Sequence, residues 1–156
     1  MRPIALLLIL ACPLPALAQD SAVFARFWTS SGSLPPEYAW DAEVTFLTDG
    51  TLTLKHCTGY ETEGPACQVR TAKVDATALE AIRTAIVAAD LVATPAREDQ
   101  NPPVGGGATG GSVVMGGAEI GLPPWPIPAD KKRVAKVLAA IHAAIPAQFD
   151  QFIDPA

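Results

Sequence analysis

Two stretches of alternating apolar residues flank Thr48-Asp49-Gly50, and no other feature constrains the fold of this chain as strongly. Trp40, Val44 and Phe46 recur at even positions with Glu43 and Thr45 between them, and Leu52 and Leu54 continue the alternation beyond the turn. A period of two sends side chains to opposite faces, so these segments predict strands with one buried and one wet face. A two-residue Asp49-Gly50 loop would set Phe46 opposite Thr53 and Val44 opposite Lys55. A three-residue loop sets Phe46 opposite Leu52 and Val44 opposite Leu54. Register follows the buried face, so the three-residue loop is expected, with Gly50 supplying the positive φ of its bulge position.

A sheet that is wet on one side needs a cover on the other. Leu79, Ile82 and Ile86 share one face of a helix that Asp75 or Thr77 can cap, Thr77-x-x-Glu80 matching a capping box. That helix should end near Asp90 or Leu91. Val134, Val137, Leu138, Ile141 and Ile145 form a second stripe, with Asp130 as cap and Pro146 as stop. Val23 to Thr29 is dense in aromatic and β-branched residues and reads as a first strand. Ser112 to Leu122 reads as a hairpin around Gly116-Gly117, pairing Val113 with Ile120 and Met115 with Ala118. Phe149, Phe152 and Ile153 point to a tail that packs back. The expected fold is α+β: a largely antiparallel sheet of about five to six strands with two amphipathic helices on one face.

The N-terminus reads as an address. A Met1-Arg2 start, an apolar run from Ile4 to Ala11 and an Ala16-Leu17-Ala18 end make residues 1–18 a secretory signal peptide, cut between Ala18 and Gln19. The run is too short to span a membrane, and no later stretch comes closer, so the mature chain should have no transmembrane segment. In the alternative, Ile9-Leu10-Ala11-Cys12 resembles a lipoprotein box, and Cys12 anchors the protein to the envelope. Residues 19–156 then form a single domain, and the expected location is the periplasm or the outside of the cell.

Cleavage leaves two cysteines, Cys57 and Cys67. Exported cysteines pair, so a disulfide is expected. A metal site of His56, Cys57 and Cys67 lacks a fourth ligand and any C-x-x-C spacing. Thr58 to Ala66 reads as a polar loop and Cys67 to Val74 as a return strand. With Cys57 opposite Cys67, Gln68 and Arg70 fall on the face of Leu54, against the burial pattern. Either the pairing is staggered or this is an exposed edge strand.

Ser31-Gly32-Ser33-Leu34-Pro35-Pro36-Glu37-Tyr38, the Asp49-Gly50-Thr51 hairpin and the helix that follows resemble a known pattern. The region from Phe27 to Leu91 is similar to small, mostly uncharacterised bacterial domains, often exported, with an S-G-x-x-P-P-x-Y segment before a D-G-T hairpin. The resemblance implies the fold and attaches no activity, ligand or catalytic residue.

Composition narrows the function. Half-apolar content (49%) excludes wholesale disorder, and a net charge of −5 argues against nucleic acid as a partner. Gly105-Gly106-Gly107-Ala108-Thr109-Gly110 formally matches G-x-G-x-x-G, but a Pro-rich stretch precedes it and a strand follows, so it reads as linker. Pro35-Pro36-Glu37-Tyr38 reads as a stiff lead into the second strand, with Tyr38 and Trp40 packing. His56 and His142 read as packing or boundary residues, and no G-x-S-x-G or H-E-x-x-H accompanies them. Glu61, Glu63, Glu98 and Asp99 read as solvated loop charge. Lys131, Lys132, Arg133 and Lys136 read as the wet face of the last helix.

No catalytic, cofactor-binding or metal-binding residue emerges, and no cofactor is expected. The residues favour a non-enzymatic binding or inhibitor-type module acting on an unidentified protein or envelope component. Its contact surfaces would be the Ser30–Pro36 and Thr58–Ala66 loops and a flexible Pro/Gly-rich loop at 93–111. An envelope lipoprotein with an assembly role is the alternative, and a hydrolase with an unrecognised site a lesser one.

Overall fold

The computed structural model describes residues 21–60 and 66–154. Six strands form one antiparallel sheet in the order β4-β3-β2-β1-β5-β6: β1 (Val23–Ser30), β2 (Trp40–Leu47), β3 (Thr51–Thr58), β4 (Ala66–Lys73), β5 (Ala108–Met115) and β6 (Ala118–Leu122). Helices α1 (Ala76–Ala88) and α2 (Lys131–Ala143) cover one face. A turn of 3-10 helix at Ala147–Phe149 and the short α3 (Asp150–Ile153) close the chain. The architecture is α+β. Among the described residues no helix is long and apolar enough to cross a membrane.

The central hairpin has the register expected from the buried face: Phe46 lies opposite Leu52 and Val44 opposite Leu54, with Gly50 at φ 80°. Ala25 and Phe27 of β1 extend the same apolar layer, and Val113, Ile120 and Leu122 complete it on the far side. Phe24 and Ala25 are both buried although adjacent, because a bulge between Val23 and Ala25 re-aims the strand. The Arg83 guanidinium of α1 lies 4.7 Å over the Phe24 ring.

Cys57 and Cys67 are bonded and sit directly opposite each other, on the face of the sheet away from the helices. Arg70 and Gln68 therefore do fall on the inner face, and β4 is an exposed edge strand. Arg70 escapes burial by lying 4.5 Å over the ring of Phe152, part of the tail that packs back. His56, on the inner face, is parted from the disulfide by the sheet itself.

Other local details differ from the sequence reading. Asp75 caps α1 by accepting from Ala78 N–H at 2.8 Å and Thr77 Oγ1 at 2.6 Å, while Glu80 pairs with Arg83 instead of closing a capping box. The C-terminus of α1 closes with Leu91 N–H on Ile86 O and Asp90 N–H on Val87 O. That is a Schellman motif, with Asp90 in the left-handed position at φ 54° and Leu91 buried with Ile86. Strand β5 begins at Ala108, so its first four residues come from the stretch assigned to the 93–111 loop. Glycines at 110 and 111 hide the strand from any alternation, yet they pair with Trp28 and Phe27 of β1.

Candidate functional site

The register of the sheet decides where the loops meet. Ser30 pairs with Asp41 and with Ala108, Trp40 with Thr58, and Thr58 with Ala66, so all these strand ends share one end of the sheet. The segments 31–39 and 94–107 meet there, and the chain after β6 runs toward it. Their contacts are specific. The α-carbon of Gly32 sits against Gly106 O so closely that any β-carbon would collide with it, and its φ is 73°. The Tyr60 hydroxyl donates to Leu34 O. Glu98 bridges Pro126, with Asp99 N–H donating to Trp125 O at 2.7 Å and Ile127 N–H to Arg97 O at 3.0 Å.

A groove of about 370 Å³ opens where these segments meet α2. Trp125 and its neighbouring prolines form one wall and Val134 and Leu138 the other, with Asp99 and Lys131 supplying one charge of each sign. Leu138 also borders a second hollow of about 340 Å³, which His142, Thr29, Thr109 and Asp154 line. Leu34, Tyr38, Tyr60 and Val104 are exposed in the loops of this end, Tyr38 by 66%. Tyr38 thus does not pack as expected. Only Trp40 does, stacking on His56 with ring centroids 6.3 Å apart.

One clamp fixes the base of the groove. Asp130, at the start of α2, makes no capping bond to its own helix. Its buried carboxylate accepts from Arg97 N–H at 3.0 Å and from Arg133 Nη2 at 2.7 Å. Both bonds favour the charged form and hold its pKa below the usual 3.8, the Arg97 amide foremost. Arg133 Nη1 donates in turn to Ala89 O, Asp90 O and Thr94 O at 3.1–3.2 Å. A guanidinium therefore meets the carbonyl end of α1, where a cation is favoured. Arg133 is not part of a solvated face, and only the proximity of the two helices reveals its role.

The remaining candidates are scattered. His56 lies between Trp40 and Phe152, and burial foremost pushes its pKa below 6.5, against the pull of Asp41. His142 stands edge-on to Phe27 at 5.8 Å. The glycines 105–107 run straight into β5, not into a helix. Among the described residues no three His, Cys, Asp or Glu gather as a metal site. Cys12, Ala18, Gln19, Glu61 and Glu63 lie outside the described residues. In the sequence, Pro123, Pro124, Pro126 and Pro128 around Trp125 read only as a stiff, extended connector, and the groove stays hidden because its second wall is a helix that begins after it. No family model matches the chain, and no curated protein matches it significantly.

Proposed function

We propose that this is a non-enzymatic binding module, exported to the periplasm or beyond, which grips another protein with the loop end of its sheet. One observation carries the reading: exposed Leu34, Tyr38, Tyr60 and Val104 crowd the end of the sheet that also holds the Trp125 groove. Among the described residues the other exposed large apolar side chains are valines on β4 and around the end of α1. Binding hot spots favour tyrosine and tryptophan beside desolvated pockets, carried on a rigid scaffold. The disulfide supports an oxidising compartment. An inhibitor of an exported enzyme is one concrete form of such a module.

The test is capture from periplasmic and secreted fractions by the immobilised mature chain, compared with Tyr38→Ala, Val104→Asp and Trp125→Ala. Tyr38 and Val104 are exposed, so their variants keep the fold. The expected result is a partner whose affinity falls about tenfold or more in these variants. Capture that is equal in all of them contradicts the proposal.

A further inference from the structure

The open side of β4 is a second surface, at the opposite edge of the sheet from β6. Its backbone polarity can be read in two ways that agree. Val74 N–H, just past the strand, donates to Gly50 O at 2.9 Å, so residues of even number turn their amides toward β3. The Cα atoms of Cys57 and Cys67 are 4.0 Å apart, the spacing of an antiparallel pair that exchanges no hydrogen bonds. Cys67, Val69 and Thr71 therefore turn both N–H and C=O to the open side. Among the described residues no strand, bridge or backbone bond meets them there.

Native edges are usually short, bulged, proline-bearing or covered. Among the described residues this one is long and regular: eight residues in unbroken register, free of proline, with Val69 64% exposed at its middle, and its mid-strand guard charge, Arg70, points inward and is held over Phe152. β6, at the other edge, has five residues.

We propose that β4 is a self-association surface, on which two copies of the chain pair their β4 strands antiparallel about a two-fold axis at Val69. The strand is self-complementary. Centring on Val69 sets Val69 against itself, Gln68 against Arg70, Cys67 against Thr71 and Ala66 against Ala72. Apolar meets apolar, amide meets guanidinium, and no like charges oppose one another. Centring on Arg70 would oppose two guanidiniums, centring on Gln68 shortens the ladder, and centring on Thr71 sets Val69 against Lys73. The outward amide and carbonyl of Val69 give the pair its two central hydrogen bonds. Arg70 is already held over Phe152 and donates to Gln68 Oε1 at 2.9 Å, so little side-chain freedom remains to be lost. A two-fold axis normal to the sheet keeps the helices of both copies on one face.

Sedimentation equilibrium of the full mature chain, from about 10 μM to about 1 mM, tests this at the affinities a small interface gives. The wild type should dimerise with concentration. Val69→Pro should be monomeric with an unchanged far-UV spectrum, because it deletes an amide that β3 does not use. Val69→Lys should weaken the dimer at least tenfold by placing like charges at the axis. Tyr38→Ala should dimerise as the wild type does, which separates this surface from the loop end. A wild type that stays monomeric throughout overturns the proposal. So does a dimer that survives in folded Val69→Pro or in Val69→Lys, and the lysine variant decides if the proline variant does not fold.

Discussion

Two side chains whose roles are tertiary carry the residue-scale predictions. Arg133 joins the carbonyl end of α1 to Asp130 and, through Asp130, to the Arg97 amide. Arg133→Ala should lower unfolding stability in urea by about 2 kcal/mol, and Arg133→Lys should not restore it, because an ammonium cannot span the fork of acceptors. The sequence placed Arg133 among lysines on an amphipathic helix, and no local pattern distinguishes a residue that reaches across to another helix. His56 sets a pH dependence. Burial depresses its folded pKa, so the native state binds fewer protons than the unfolded chain, whose histidine titrates near 6.5. Its contribution is complete above that value and is lost as pH falls through the depressed one. Thermal melts should show the midpoint dropping on mild acidification, and His56→Gln should flatten that slope. Asp49, held down by the Thr51 amide and hydroxyl, and Asp75, held down by the Thr77 hydroxyl and Ala78 amide, act with the same sign. Their share is lost only as pH falls below 3.8.

At the scale of elements, legibility follows burial. Both hairpin registers were readable, since one choice in each gathers the apolar residues. β4 was legible as a return strand, but its register was left open between a staggered pairing and an exposed edge, because residues exposed on both faces give no alternation to read. The start of β5 was hidden for another reason: glycine carries no side chain to alternate. The disulfide, by contrast, was legible from two cysteines in a chain expected to be exported. It joins β4 to β3 across ten residues of separation, and removing it by Cys57→Ser with Cys67→Ser should cost roughly 2–3 kcal/mol. Chemical unfolding with and without reductant checks that figure. In the Schellman motif that ends α1, Asp90→Gly should raise the melting temperature by relieving a left-handed aspartate.

For the whole molecule, sheet and helices make a platform and the loops gather at one end of it. That gathering was not legible, because it depends on strand order: β5 joins the sheet beside β1, which brings 94–107 against 31–39. At Gly32 a β-carbon would meet the Gly106 backbone at a positive φ, so Gly32→Ala should displace the 105–107 backbone, impair capture and lower the melting temperature. The most direct test of the binding surface is amide hydrogen exchange of residues 19–156, alone and saturated with the captured fraction. The account predicts slowed exchange in 31–39, 97–107 and 123–130, with the outer face of the sheet unchanged. Protection confined to the outer sheet face, or none anywhere, would contradict it.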